Sequence, residues 1–229
     1  MTASYGQFCP VAMGAEIFCT RWTPLILREM LCGSQRFNDL RRGVPRMSPT
    51  LLSKRLKELE HAGVIVSRRG EGGVTYELTP AGEDMRELVM TLGFWGQKWV
   101  DTHEALKKLD PGLLMWDMRR GLDPTPIPPR KCTIKFHYPE VRPGLKDWWL
   151  VVEGRTVDLC LTDPGFNVDL YVQGSLKSMT SIWMGHSTVR SEASAGRIEL
   201  IGDRGISQNM QQWLGLSPFA KERNRRAAA

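Results

Sequence analysis

At 229 residues the chain exceeds the roughly 100–150 typical of one domain, so two small domains are expected. With 41% hydrophobic and 24% charged residues, each can bury a core, and a disordered chain is excluded. The net charge of +6 leans towards an acidic partner such as nucleic acid, although many proteins as basic bind none.

Five scattered cysteines, with no C-x-x-C pair, form neither a disulfide framework nor a zinc finger, and they suit a reducing cytosol. The opening MTASYGQFCP lacks the basic and apolar regions of a signal peptide. No apolar run reaches the ~18–20 residues of a membrane span. The expectation is a soluble, cytoplasmic protein.

In chain order, Pro10 to Cys19 reads as a short helix closed by Trp22. Pro24 suits the first turn of a second helix, with Gly33 just past its end. Arg36 to Arg42 forms a third, with Phe37 and Leu40 at i, i+3 spacing. After the turn GVPRM, Ser48 occupies an N-cap position and Pro49 the first helical position of a helix running to about His61. Val64–Arg69 and Val74–Leu78 are strand-like and joined by GEGG, a hairpin signature. Thr79 and Pro80 then start a long helix, with Glu83 and Asp84 in its first turn.

Helix, helix, short helix, turn, helix, hairpin, helix is the order of a winged helix-turn-helix module. In the helix from Ser48 to His61, Leu52, Leu56 and Leu59 share one stripe at about 100° per residue and must face a core. Thr50, Ser53, Lys54, Lys57 and His61 fall opposite, a face of hydroxyls and cations suited to a phosphate-lined major groove. Arg55 lies beside the apolar stripe and reads as an ion-pair or packing residue. Over residues 36–69 nine cations oppose three carboxylates, a net +6 that equals the excess of the whole chain. With Arg46 and Ser48 ahead of the helix and Arg68 and Arg69 in the hairpin, these residues form the expected DNA-binding set. A basic solvated face that meets another protein is the alternative.

Residues 9–100 resemble the HxlR-type winged-helix regulators. The resemblance rests on CPVAMGAEIFCTRWTPLILREML, QRFNDLRRGVPRMSPTLLSKRLKELEHAGVIVSRR and VTYELTPAGEDM. It implies homodimers on pseudo-palindromic double-stranded DNA, with recognition helices in successive major grooves and wings along the flanking backbone. It places Thr50, Ser53, Lys54 and Lys57 towards the groove. One departure is the wing tip, GEGG, which is short and lacks cations, so wing contacts rest on Arg68 and Arg69. Met85, Leu88, Leu92, Trp95 and Trp99 recur every three or four residues; they form a dimerisation stripe or pack within the chain. Cys9, before Pro10 at a helix start, is a candidate redox sensor because some relatives sense electrophiles through thiols; a small structural residue is the alternative.

Residues 121–130, GLDPTPIPPR, carry four prolines and read as an extended linker. Beyond them, Ile134, Phe136 and Tyr138 alternate with Lys135 and His137 in a half-buried strand pattern. Trp148–Val152 and Thr156–Leu161 flank a tight hairpin, and Val168, Leu170 and Val172 mark another strand. A helix follows with Leu176, Met179 and Trp183 on one side. Arg197–Ile201 is a last strand, and Ile206, Met210, Trp213 and Leu214 a final helix. A small antiparallel sheet with helices is expected. From SLKSMT through GRIELIGD to QQWL the chain resembles the sterol-carrier-protein type domain. That resemblance implies a pocket for a hydrophobic small-molecule effector, with Trp148, Met179, Trp183 and Met210 as its lining; plain core packing is the alternative.

The four histidines, His61, His103, His137 and His186, have no metal-ligand spacing, and no nucleophile elbow or phosphate loop is present. An enzyme, a cofactor and a metal are not expected. The fold expected is α+β: residues 1–102 a winged helix-turn-helix domain for DNA binding and dimerisation, 103–130 a helix and proline-rich linker, 131–220 a small α/β sandwich, 221–229 a basic tail. A dimeric transcriptional regulator controlled by a hydrophobic ligand is the leading reading. The rival is a hydrophobic-ligand carrier whose winged helix serves only dimerisation or protein interaction.

Overall fold

A computed structural model of the protein describes residues 4–101, 106–107 and 109–222. His103 and the tail from 223 onward lie outside the described residues. The chain divides into two compact units, Met1–Gly93 and Phe94–Ala229.

The first unit contains α1 (Pro10–Phe18), α2 (Thr23–Leu31), α3 (Phe37–Gly43) and α4 (Pro49–His61), then β1 (Ile65–Gly70), β2 (Gly73–Leu78) and α5 (Pro80–Asp84). α6 (Arg86–Trp99) begins in it and runs across the boundary. The long helix expected from Thr79 is interrupted at Met85, which closes α5 as its C-cap. Met85 packs against the first core rather than standing on the outer stripe of α6.

α4 forms where its sequence dictates. The Ser48 side chain accepts a hydrogen bond from the Leu51 amide at 3.3 Å, satisfying one orphan donor of the first turn. Leu52, Leu56 and Leu59 are buried with Ile26, Leu27, Leu40 and Val64 in the core. Each such leucine contributes about 2 kcal/mol of transfer free energy. After Ala62 the helix stops at Gly63, whose φ of +70° only glycine adopts without penalty.

The hairpin is antiparallel, with Ile65 opposite Leu78, Arg68 opposite Thr75 and Gly70 opposite Gly73. A third segment joins it: the Tyr76 amide donates to the Gln35 carbonyl at 2.8 Å, and Arg36 bridges Thr75. Beneath α3, Glu29 is fully buried, paired with Arg28 and accepting from Ser34 Oγ at 3.3 Å. Gly43 lies against its carboxylate so closely that a Cβ there would overlap it.

The second unit holds α7 (Pro111–Gly121), β3 (Cys132–His137), β4 (Asp147–Glu153), β5 (Thr156–Cys160) and β6 (Leu170–Gly174). It continues with α8 (Leu176–Trp183), α9 (Val189–Ser194), β7 (Ile198–Gly202), α10 (Arg204–Gln208) and α11 (Met210–Trp213). The sheet order is β5-β4-β3-β6-β7. Antiparallel pairing holds throughout except between β3 and β6, which are parallel, so the sheet is mixed and not antiparallel as expected. The pairing of Ile134 with Leu170 joins strands distant in sequence, which no local pattern specifies.

Residues 121–130 are not the free linker that their prolines suggested. Leu122 and Ile127 are buried in the second core, and the Asp123 amide donates to the Trp213 carbonyl at 2.8 Å. Proline forbids helix and sheet here, but it does not stop an irregular segment from packing through the apolar residues between the prolines. α9 leaves no periodic trace in the sequence: it has a Thr188 side-chain cap and only Val189 and Glu192 buried, too short a span to show a period. Among the described residues no helix is long and apolar enough to cross a membrane.

Candidate nucleic-acid interface

Burying Leu52, Leu56 and Leu59 fixes which side of α4 faces out. Thr50, Ser53, Lys54, Lys57 and His61 are all exposed on that outer side, and Arg46 and Ser48 are exposed just ahead of it. The Lys57, Arg46 and Arg69 side chains make no ion pair among the described residues, so their charge is available to an outside anion. Lys54 Nζ stands 3.9 Å from Glu58, a distance at which an exposed pair is weak.

The acidic residues of α4 are drawn away from this face. Glu60 accepts from the Ser67 amide at 2.9 Å and from Ser67 Oγ at 2.5 Å, and these bonds hold its carboxyl below the usual range. Glu58 pairs with Arg55, whose Nε also donates to the Arg21 carbonyl at 3.1 Å. Arg55 therefore ties α4 to the segment before α2, the packing role that its place beside the leucine stripe indicated. Next to it Trp22 has φ +80°, in the left-handed region, with the Arg21 guanidinium over its ring.

The wing carries less free charge than its two arginines suggest. Arg68 Nε donates to Glu77 across the hairpin at 2.7 Å, which leaves Arg69 as the uncommitted one of the pair. Arg36 Nη1 donates to the Gly72 carbonyl at 2.7 Å and so anchors the tip. In the sequence Arg36 is visible only as charge, because its partner lies 36 positions away.

The outer face of α4 is also one wall of a cleft of about 690 Å³. Glu16, Ile17, Thr20 and Thr23 form the other side. On α6, Leu88, Leu92, Trp95 and Trp99 are 54, 48, 57 and 40% exposed, a continuous apolar stripe. Cys9 is the N-cap residue of α1 and half-buried. Trp148, Met179, Trp183 and Met210 lie together in the apolar core of the second unit.

Three helices, a capped fourth and a two-stranded hairpin, with the exposed cations on the fourth helix, define a winged helix-turn-helix protein. Residues 17–104 match the family described as HxlR-like helix-turn-helix. The HTH-type transcriptional regulator YvaP of Bacillus subtilis (strain 168) is 33% identical over 99 residues, 42% of this chain and 92% of that protein. A second regulator from the same organism, YdeP, is 31% identical over 108 residues, covering 44% and 84%. The reduced form of the B. subtilis transcriptional regulator YodB is 26% identical with a TM-score of 0.36, over 40% of this chain and 93% of that one. The chain belongs to the HxlR-like helix-turn-helix family.

Proposed function

We propose that this protein is a dimeric, sequence-specific DNA-binding transcriptional regulator acting in the cytoplasm. The observation that carries the reading is the division of α4 into a buried leucine stripe and an exposed face of Thr50, Ser53, Lys54 and Lys57. Hydroxyls and ammonium groups donate to phosphate oxygens and base edges, and the carboxylates that would repel them are engaged elsewhere. Arg46 and Ser48 extend the face at its start, and Arg69 supplies a backbone contact from the wing.

Family membership supports the regulatory role, since its relatives YvaP and YdeP are named as transcriptional regulators. The exposed stripe of α6 supports a homodimer, because burying four large apolar side chains between two copies removes them from water. Control through the second unit by a hydrophobic effector belongs to the same proposal. Such a molecule would have to part the packing of Trp148, Met179, Trp183 and Met210. A thiol-sensing role for Cys9 also belongs to it; alkylation of Cys9 that left operator affinity unchanged would remove that role.

A salt titration tests the core of the reading. Affinity for a mixed-sequence duplex is expected to fall about 10³-fold or more between 50 and 200 mM salt, as for about six or more phosphate contacts per dimer. Salt-independent binding, or none at low salt, would overturn it.

A further inference from the structure

The cleft between α1 and α4 has a composition that DNA contact alone does not call for. Its volume of about 690 Å³ lies within the range of small-molecule sites. Ile17, Leu59 and Ala62 supply apolar surface, Ser53 a hydroxyl and Lys57 a cation, while the Thr20 hydroxyl donates to the Glu16 carbonyl at 2.8 Å. A surface shaped only to meet a phosphate backbone would carry cations on a convex face; this one is concave with an apolar part.

The charges around it point to one sign of ligand. Two carboxylates line the cleft, and both are engaged. Glu16 accepts from Ser4 Oγ at 2.8 Å and from the Tyr5 amide at 2.6 Å, and Glu58 pairs with Arg55. Lys57 makes no ion pair among the described residues. The uncommitted charge facing the cavity is therefore positive and stands beside the Ser53 hydroxyl and an apolar surface.

We infer that this cleft binds a small organic carboxylate with an apolar body, and that its occupancy competes with DNA. The carboxylate pairs with Lys57 and the Ser53 hydroxyl, and the apolar body covers Ile17, Leu59 and Ala62. Competition follows from geometry. Thr50, Ser53, Lys54 and Lys57 are both a wall of the cleft and the face assigned to DNA, so a lodged anion neutralises Lys57 and withdraws it from phosphate. The competitive effect rests on the DNA-binding reading of α4; the site itself does not.

The test uses the full chain and naphthalene-2-carboxylate, with neutral naphthalene-2-methanol as control. Calorimetry is expected to show saturable binding of one carboxylate per chain, at least ten-fold tighter than the alcohol. Thr20→Trp, which fills the cleft from outside the DNA face, is expected to weaken the carboxylate at least ten-fold and to leave duplex affinity unchanged. Saturating carboxylate is expected to lower wild-type duplex affinity at least ten-fold. No binding, equal binding of the alcohol, full binding by folded Thr20→Trp, or undiminished duplex affinity at saturation would each overturn the inference. Should circular dichroism show Thr20→Trp unfolded, Lys57→Gln decides. It is expected to lose carboxylate affinity ten-fold with the alcohol unaffected, and retained carboxylate affinity overturns the site. A wild-type chain that binds no duplex removes the DNA reading and with it the competitive half of the inference, while the calorimetric comparisons still decide the site.

Discussion

Arg36 and Gly72 are joined by a hydrogen bond of 2.7 Å from the guanidinium Nη1 to the carbonyl at the wing tip. The residue that opens α3 thereby holds the far end of a hairpin whose glycine-rich turn, with Gly73 at φ +100°, has little stiffness of its own. Arg36→Ala is expected to destabilise the hairpin by about 1 kcal/mol and to speed amide exchange at residues 71–73 several-fold. Hydrogen exchange followed by NMR checks this; unchanged exchange at the tip would show the bond to be incidental.

Lys57 lies at the centre of the exposed face of α4 and has no acidic partner among the described residues. Lys57→Glu is expected to weaken duplex binding by ten-fold or more, since it removes a phosphate contact and adds repulsion. The dimer is expected to persist. Fluorescence anisotropy and sedimentation read the two effects separately, and retained affinity would move the DNA face elsewhere.

Trp95 is 57% exposed on the stripe of α6. Trp95→Glu places a charge where a second copy is proposed to pack, and it is expected to shift the protein from dimer to monomer with helix content intact. Sedimentation equilibrium at micromolar concentration checks this. A variant that stays dimeric would assign the stripe to another contact.

Gly43 is required by Glu29, not by backbone conformation. Gly43→Ala is expected to destabilise the first unit by about 1–3 kcal/mol, because the added methyl collides with a buried, paired carboxylate. Denaturant unfolding measures it, and a neutral outcome would mean that Glu29 moves freely.

Glu192 is buried and accepts two bonds from Arg197, at 2.7 and 2.8 Å, and one from Ser187 at 2.5 Å. The Arg197 bonds, with help from Ser187 and Ser178, hold its carboxyl down at about 2, against the ordinary 4.5. A depressed acid stabilises the fold above its unfolded value, so this contribution is complete above about pH 5. It is lost as pH falls through 4.5 towards 2. It is on the order of 2 kcal/mol once the 53% exposure of the Arg197 side chain is allowed for. Glu192→Gln is expected to be less stable at pH 7 and to approach the wild type near pH 2. Parallel curves across that range would count against it.

What the sequence reveals and what it hides divide along the distance between partners. α4 is legible because Ser48, Pro49 and three leucines act within fourteen residues and specify cap, start and buried side together. The leaning of Glu60 towards Ser67 is hidden, since seven positions and a turn separate them. So is the parallel register of β3 and β6, set by contacts 36 positions apart. The proline-rich stretch misleads for another reason. Its composition reports which regular structures are forbidden and says nothing of whether Leu122 and Ile127 find a core. The free charge of the wing is not legible either, because Arg68 meets Glu77 only once the strands are registered.

The cleft beside α4 has two walls with different obligations, and genetics would tell them apart. Alleles on the α4 wall, at Ser53 or Lys57, are expected to lose the proposed response to the small anion and the hold on DNA together. Alleles on the opposite wall, at Ile17 or Thr20, are expected to separate the two. A selection for cells that no longer respond to the anion, yet still regulate, would therefore gather its mutations between residues 16 and 23, on one side of a single crevice.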